Sequence, residues 1–305
     1  MCICFLKRIN KGTQSYSAPV KSGGQSNSCR KLIGIIPVPV GIPLLHDFEG
    51  LFIIDLHSWE KKGRIVLKKR RGDSMQGEFT FYKRSLVITF ILLVLLILWG
   101  IIAPISIAEI EQYQSRIEFV QFLTSASLIY HLNYLIATLL TFFIVAFFTI
   151  LFLESKADFP LLSHIGFIFV PVYAVINIII YSSQISIVPD IARYINLQGN
   201  ALLDHWVFQM IQSTYGTIFS KINAFAYAIL GIPSICFGLT LCKKSRMGKI
   251  ASFFLIMNAV LCILGFVGLG IGNKLLSSGV MIGGFIFIVA TLFVFLHYMR
   301  MIKGK

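Results

Sequence analysis

Charged residues are scarce in this sequence. Asp, Glu, Lys and Arg together make up 13% of its 305 residues, whereas they make up about 25% of a typical soluble domain. Hydrophobic residues make up 56%, and the mean hydropathy is +0.81. This composition excludes the pair of soluble domains that a chain of this length usually forms.

Short motifs that carry chemistry are also missing. The sequence contains no Cys-x-x-Cys pair, no His-Glu-x-x-His, no Gly-x-Ser-x-Gly and no glycine-rich phosphate loop. Its six cysteines are Cys2, Cys4, Cys29, Cys236, Cys242 and Cys262. We predict that they are reduced and packed as small apolar residues. We also predict no catalytic residue, no cofactor, no metal and no enzymatic activity.

Long apolar runs are what the sequence has in abundance. About 20 helical residues cross the hydrocarbon core of a bilayer, and several runs reach that length without a charged residue. The expected spans are about 85–106, 133–153, 163–185, 217–242, 250–272 and 276–299. The sequence therefore predicts an all-α, polytopic transmembrane helix bundle, with the lipid bilayer as its partner and short interfacial helices in its outer loops.

Basic residues fix the expected orientation of the bundle. With the N-terminus inside, ten of the fourteen Lys and Arg residues after Met75 fall on the inner side and four on the outer side. The residues that we expect to set the topology are Lys83, Arg84, Lys243, Lys244, Arg246, Lys249 and Arg300. Because short inner loops carry the excess of Lys and Arg, we predict a cell-membrane protein with both termini in the cytoplasm.

Residues 1–74 differ from the rest of the chain. They hold 13 of the 27 Lys and Arg residues and show no lasting helical or strand periodicity. One hypothesis is a disordered basic extension. The other is that the natural start is Met75, because Arg70-Arg71-Gly72 can be encoded by a ribosome-binding sequence of a prokaryote. Residues 75–305 are the expected membrane domain, and no nucleic-acid partner is expected.

Prolines and loop residues complete the expected layout. We expect Pro104 to close the first span, and a transport path would be helped by breaks in the third and fourth spans at Pro171 and Pro233. In the outer loops, 117–123 and 206–210 each have an apolar side, which is typical of helices lying along a membrane interface.

Small residues recur in the last two spans. Gly268 and Gly272 are four residues apart, as are Gly279 and Gly283. Glycines at this spacing share one helix face and allow close backbone approach. We predict helix packing within the chain at these positions; the alternative is a dimerisation seam or a mobile gate. The possible protein partners are a second copy of the chain or another membrane protein.

Three asparagines lie within the apolar runs: Asn177, Asn223 and Asn258. Buried polar groups in lipid need partners. These residues either hold the bundle together or line a polar path for a small solute. A path would expose them to water, whereas a scaffold would bury them.

A third possibility is a metal site in the outer loops. His131, Asp204 and His205 share the predicted outer side with Glu109, Glu111 and Glu118. Side chains of these types can hold the zinc ion of a membrane hydrolase. No helical pairing of histidines supports such a site, however. His164 and His297 lie at span ends, where interfacial anchoring accounts for them.

Taken from Met75, the layout resembles a class of six-span prokaryotic membrane proteins without assigned chemistry. The resemblance covers 75–305 and lies in the basic start, the extended outer loops and the short inner loop at 243–249. It implies a fold and no catalytic residues. The sequence thus favours a non-enzymatic membrane component, with a small-solute transporter or channel as the alternative and a metal-dependent hydrolase third.

Overall fold

The computed structural model describes residues 71–110, 113, 116–198 and 201–303. The expectations for the segment before residue 71 lie outside these residues. Within them, every regular element is a helix. The helices are α1 Arg71–Ile110, α2 Arg116–Thr124, α3 Leu128–Ser155, α4 Pro160–Ile185, α5 Ile187–Gln198, α6 Ala201–Gln209, α7 Ile218–Leu241, α8 Arg246–Gly270, α9 Lys274–Ser277 and α10 Gly279–Lys303.

Six of the described segments are long and apolar enough to cross a membrane. They are Phe79–Ile110, Leu128–Ser155, Pro160–Ile195, Ile218–Leu241, Arg246–Gly270 and Lys274–Lys303. The predicted all-α bundle of six spans is therefore confirmed, and the chain is a multi-pass membrane protein. The spans follow one another in chain order, and short turns join most of them.

The six spanning helices form a closed ring. Helix α1 packs on α3, α3 on α4, α4 on α7, α7 on α8, α8 on α10, and α10 returns to α1. A further contact between α3 and α7 crosses the ring. Every spanning helix therefore has at least two neighbours from the same chain, and each keeps an outward face.

Large aromatic side chains pack inside the ring, and both aliphatic and aromatic side chains lie on its outside. Phe147 lies against Phe148 and Phe287, with ring centroids 5.3 Å and 5.8 Å away. On the outward faces, Ile168 is 62% exposed and Phe253 is 59% exposed. Such faces are suited to lipid chains, because apolar surface of this extent is unfavourable in water.

The two ends of the bundle differ in character. The basic end holds the seven expected topology residues, all of them exposed. The opposite end, here called the loop end, is covered by α2, α5 and α6, which pack on one another. A second apolar cluster lies beneath them and includes Leu123, Val188 and Val207.

This second cluster corrects part of the interfacial prediction. Val120, Leu123 and Val207 are at most 3% exposed, so these sides of α2 and α6 pack inward rather than against lipid. Ile117 and Trp206 are 62% and 56% exposed and are free to contact headgroups. The loops after the first and third spans therefore serve mainly as a cover for the helix ring.

Three prolines do not act as expected. Helix α1 continues through Pro104 to Ile110, α4 continues through Pro171, and α7 continues through Pro233. Neighbouring helices can satisfy the backbone groups that a proline frees, which makes proline tolerable within a spanning helix. The expected end of the first span and the breaks in the third and fourth are therefore wrong.

Two further boundaries differ from expectation. Helix α3 begins at Leu128, where the Ser127 hydroxyl caps it by accepting the N–H of Tyr130; this is the earlier start that its sequence allowed. Helix α8 begins at Arg246. Arg246 and Lys249 consequently lie in its first turn, and the basic loop is shorter than expected.

The glycines of the last two spans fall into two groups. A Cβ at Gly279 would lie 2.6 Å from the Leu261 carbonyl oxygen, and one at Gly283 would lie 2.8 Å from Cys262 Sγ. A Cβ at Gly268 would collide with Leu276 of α9. These three positions therefore lie at close helix contacts.

Gly272 has a different role from the one expected. It lies in the turn after α8 with a φ of +72°, and the N–H of Asn273 donates to the Gly268 carbonyl. This is the left-handed residue that ends a helix. Gly272 therefore ends α8 and does not share a packing face with Gly268, although the two glycines are four residues apart.

Candidate polar column and basic-end network

A row of polar side chains runs along the inner face of α4. Tyr173, Asn177 and Tyr181 follow one another at intervals of four residues and therefore share one helix face. They are 1%, 0% and 3% exposed. With a rise of about 1.5 Å per residue, Asn177 lies about 25 Å along α4 from Pro160, in the half of the bundle nearer the loop end.

Residues of α3 and α7 extend this row into a column. The Tyr181 and Tyr227 hydroxyls are 2.9 Å apart, and the Tyr173 and Tyr227 rings lie 5.8 Å apart. Tyr134 lies beside Tyr181 with ring centroids 6.3 Å apart. Two buried asparagines are included by their sequence position: Asn223 lies four residues before Tyr227 on α7, and Asn133 directly precedes Tyr134 on α3. We call this set the polar column; its members are Asn133, Tyr134, Tyr173, Asn177, Tyr181, Asn223 and Tyr227.

Several buried polar atoms near the column have no hydrogen-bond partner among the described residues. Both side-chain polar atoms of Asn177 are in this state, as are the Oδ1 atoms of Asn133 and Asn223 and the Oγ atom of Ser106. Leaving a buried polar group unpaired costs about 1–3 kcal/mol. All four residues lie in the loop-end half of their helices, so this cost is concentrated there.

Asn258 does not belong to the same set. Its Nδ2 donates to Ser234 Oγ at 3.3 Å, and its Oδ1 accepts from Cys262 Sγ at 3.4 Å. It lies near the middle of α8 and is 3% exposed. The structure therefore separates the three predicted asparagines into one that is paired within the core and two that are buried with unpaired atoms.

Gln184 closes the column toward the loop end. Its Nε2 donates to the Met210 carbonyl at 2.8 Å, and its Oε1 accepts from the Tyr130 hydroxyl at 3.3 Å. The N–H of Gln212 donates to the same oxygen. This single amide ties the end of α4 to α3 and to the segment after α6.

The basic end contains a buried carboxylate with several donors. Glu154 Oε1 accepts from His297 Nε2 at 3.1 Å, and Glu154 Oε2 accepts from the Tyr298 hydroxyl at 2.9 Å. His297 Nδ1 lies 2.8 Å from Ser245 Oγ. The side chains of Glu154 and His297 are 6% and 1% exposed. We call Glu154, Ser245, His297 and Tyr298 the Glu154 network.

The network joins three parts of the chain that are distant in sequence. Glu154 lies in the last turn of α3, where the helix dipole disfavours a negative charge, so its donors are needed to hold it. Ser245 caps α8 by accepting the N–H of Gly248 at 3.0 Å. The consistent hydrogen assignment has Ser245 donating to Nδ1 and Nε2–H donating to Glu154.

A salt bridge lies beside the network and is more exposed. Lys244 Nζ contacts Asp158 Oδ2, and the two side chains are 25% and 56% exposed. The same Nζ donates to the Glu154 carbonyl at 3.4 Å. The basic end is thus held by one buried carboxylate and one exposed carboxylate, both next to the turn before α8.

The order serine, histidine, carboxylate matches that of a hydrolytic triad. In this molecule the Ser245 oxygen also accepts the capping N–H of Gly248, and the imidazole is almost completely buried. These contacts connect α3, α8 and α10 and leave little room for a substrate beside the imidazole. The geometry therefore favours a link between helices.

The residues of the suggested outer metal site lie apart in the described structure. Glu109 accepts from Ser127 at 2.6 Å, whereas the His131 ring lies on Tyr130 and the His205 ring on Trp206. Among the described residues, no three His, Cys, Asp or Glu side chains are grouped to hold a metal ion. Glu111 and the side chain of Asp204 lie outside that description.

Sequence reasoning missed the Glu154 network. It assigned His297 to an interfacial anchor, and the burial of His297 shows that this assignment is wrong. Glu154 and His297 are separated by 143 residues, so no local motif joins them. The available signal was that an acidic residue and a His-Tyr pair end two spans on the same predicted side.

No protein-family model, curated protein or solved structure matches this chain. The resemblance to six-span prokaryotic membrane proteins therefore stays a prediction.

Proposed function

We propose that this protein is a non-enzymatic membrane component that binds a small, uncharged, hydrogen-bonding solute in its polar column and carries it across the bilayer. The observation that carries the proposal is the side chain of Asn177, which is 0% exposed and has both polar atoms unpaired within the described structure. A bound molecule with one donor and one acceptor would satisfy both atoms. It would thereby offset the cost of burying them.

The chemistry of the column supports a neutral solute. Its seven members are amides and tyrosines, and none of them carries a charged side chain. Tyrosine offers an apolar ring together with one hydroxyl, so the column suits a compact molecule with a few polar groups. An ionic solute would lose its hydration without gaining a partner of opposite charge.

The place of the column in the fold also supports transport. Unpaired atoms lie toward the loop end, whereas polar groups at the basic end are paired. We propose that the bundle lies in the cell membrane, and that its basic end and both termini face the cytoplasm. A solute would then reach the column from the loop end, and its net flux would follow its concentration gradient, without any nucleic-acid or cofactor partner.

A static scaffold is the second candidate function. It is favoured by the paired state of Asn258 and by the close glycine contacts between α8 and α10. In that case the protein would act through a homo-oligomer or another membrane protein. The column asparagines are buried, as expected for a scaffold, but the described residues do not give Asn177 and Asn223 the partners that a scaffold would supply.

A liposome experiment distinguishes the two functions. The purified protein is reconstituted, and the influx of urea, acetamide, glycerol and small sugars is followed by light scattering. We expect at least one solute to enter faster than in protein-free liposomes, and Asn177→Leu to slow it by about tenfold, since one lost hydrogen bond is worth about that factor.

The matched control is Asn258→Leu, which changes a buried asparagine that already has partners. We expect influx through this variant to stay within about twofold of the original protein, because its amide is satisfied inside the protein. Influx equal to that of empty liposomes for every solute, or equal slowing by both substitutions, would overturn the carrier and leave the scaffold.

A further inference from the structure

Tyrosines lie on several sides of the unpaired amide of Asn177. Tyr173 and Tyr181 lie about one turn to either side of it on the same face of α4, each about 6 Å away along the helix axis. Tyr227 of α7 faces both of them, because its ring lies 5.8 Å from that of Tyr173 and its hydroxyl lies 2.9 Å from that of Tyr181. The Tyr227 side chain therefore passes the level of Asn177 on the side of α7.

None of these three hydroxyls is bonded to Asn177. Its Oδ1 acceptor and its Nδ2 donor both lack a partner among the described residues, and the residue is 0% exposed. Asn258, which has the same side chain in the same bundle, has a partner for each of these atoms. Folded proteins rarely leave buried polar atoms unpaired, so a ligand at Asn177 has to supply a donor and an acceptor together.

The shape of a carboxamide limits which ligands can do so. Its carbonyl oxygen and one of its N–H groups lie side by side on one edge of a plane. A ligand that presents an N–H and a C=O on one edge of its own plane can pair with both at once, through two parallel hydrogen bonds. Primary amides, ureas and cyclic amides have such an edge, whereas a hydroxyl group carries its donor and its acceptor on a single atom.

Two other common classes of solute lack this edge. An open-chain secondary amide, such as a peptide bond, is trans and holds its N–H and C=O on opposite edges, and its cis form is strongly disfavoured. A carboxylate presents acceptors only, together with a charge that no member of the column balances. The matching ligand is therefore neutral and planar, with a cis amide or urea group.

We infer that Asn177 is the specificity-determining residue of a site for neutral solutes that carry a cis amide or urea group. The ligand pairs edge to edge with the Asn177 side chain: its N–H donates to Oδ1, and its C=O accepts from Nδ2. The neighbouring tyrosine rings give the site the apolar surface that a planar group packs against. This inference rests on the proposed carrier function for its purpose, and its test measures binding without transport.

Three small neutral probes separate the geometry of the edge from general polarity. 2-Pyrrolidinone has an N–H and a C=O on one edge. N-methylacetamide has the same two groups on opposite edges, and γ-butyrolactone keeps the ring of the first probe without its donor. The protein is placed in lipid nanodiscs, and the affinity for each probe is measured by saturation-transfer difference NMR after subtraction of empty nanodiscs. This method suits the weak binding of ligands with about six heavy atoms.

We expect 2-pyrrolidinone to bind about tenfold more tightly than either of the other probes, or better. Each of those probes loses one of the two hydrogen bonds and leaves one atom of Asn177 unpaired. In Asn177→Leu all three probes should bind equally weakly, and Asn177→Ala takes its place if the leucine variant does not fold. Asn258→Leu is the matched control, because it replaces a buried asparagine that already has partners, and the preference should remain.

Equal affinities for 2-pyrrolidinone and N-methylacetamide in the original protein would overturn the inference. So would a preference that survives in Asn177→Leu or disappears in Asn258→Leu. A failure of 2-pyrrolidinone to bind more than it does to empty nanodiscs would mean that water satisfies the Asn177 amide, which also overturns the inference.

The outcomes separate this site from the carrier. If the preference is found and depends on Asn177 but no solute crosses the liposomes, the amide site stands and the carrier fails. If Asn177→Leu slows solute influx but the three probes bind alike, the carrier stands and the amide site fails.

Discussion

Asn177 and Asn258 are the same type of residue in the same bundle, yet their surroundings give their side-chain amides opposite effects on stability. Asn258 donates to Ser234 and accepts from Cys262, whereas both polar atoms of Asn177 lack a partner among the described residues. A paired buried amide contributes to stability, and an unpaired one costs about 1–3 kcal/mol. A single residue can therefore show whether a site is built for packing or for binding.

This contrast gives a stability prediction. Asn177→Leu removes an unpaired amide and keeps the number and branching of the side-chain heavy atoms, so we expect the free energy of unfolding in detergent to rise, by up to about 1–3 kcal/mol less the packing cost of the larger methyl groups. Asn258→Leu leaves the Ser234 hydroxyl without one partner and should lower it by about the same amount. Thermal or denaturant unfolding of the purified variants measures both. A loss of stability in Asn177→Leu would indicate that the amide is satisfied within the protein.

The residue scale also shows where reasoning from sequence stops. The apolar context of Asn177, Asn223 and Asn258 predicted that all three face the inside of the bundle, because polar residues in lipid-length runs face inward. It could not predict their partners, since Ser234 is 24 residues from Asn258. For the same reason the contact between Glu154 and His297 was not predictable, because it depends on how the ends of α3 and α10 meet.

At the scale of elements, helix length was predictable and helix ends were less so. A run of about 20 apolar residues is sufficient to predict a span, and all six were found. Pro104 did not end α1, because a proline inside a spanning helix can be accommodated by its neighbours. Local sequence also could not show that Gly272 adopts a positive φ, because this depends on the turn to α9.

The contact between α8 and α10 gives a prediction for glycine. In Gly279→Ala the new Cβ would lie 2.6 Å from the Leu261 carbonyl oxygen, a backbone atom of α8. We expect a loss of about 1–3 kcal/mol, because the two helices must move apart. Gly284→Ala adds a Cβ with nothing within 4 Å and should gain about 0.5–1 kcal/mol from helix propensity.

Unfolding of the two alanine variants side by side provides the measurement. Both substitutions replace glycine by alanine, and they lie five residues apart on one helix. The effects of the detergent and of amino-acid composition on the free energy of unfolding are therefore the same for both variants. Equal stabilities would mean that α8 and α10 are not in close contact at Gly279.

For the whole molecule, the main feature is the difference between the two halves of the ring. Close to the loop end, buried polar atoms lack partners in the described part of the chain. Close to the basic end, a buried carboxylate has two donors and a neighbouring salt bridge. A carrier that binds a solute in one half and closes the other would have this distribution.

The orientation of the bundle in the membrane can be tested with a cysteine that the chain already has. Cys242 is exposed at the basic end, whereas Cys236 and Cys262 are buried. Cys2, Cys4 and Cys29 are replaced by serine so that they do not react. Because Lys and Arg accumulate in cytoplasmic loops, we expect a membrane-impermeant maleimide to label Cys242 in inverted vesicles and not in intact cells.

The matched control places a cysteine at the other end. Tyr215→Cys lies in the segment before α7 at an exposed position and should be labelled from outside intact cells only. Labelling of Cys242 from outside would reverse the bundle. The unpaired atoms of the column would then lie in the half nearer the cytoplasm.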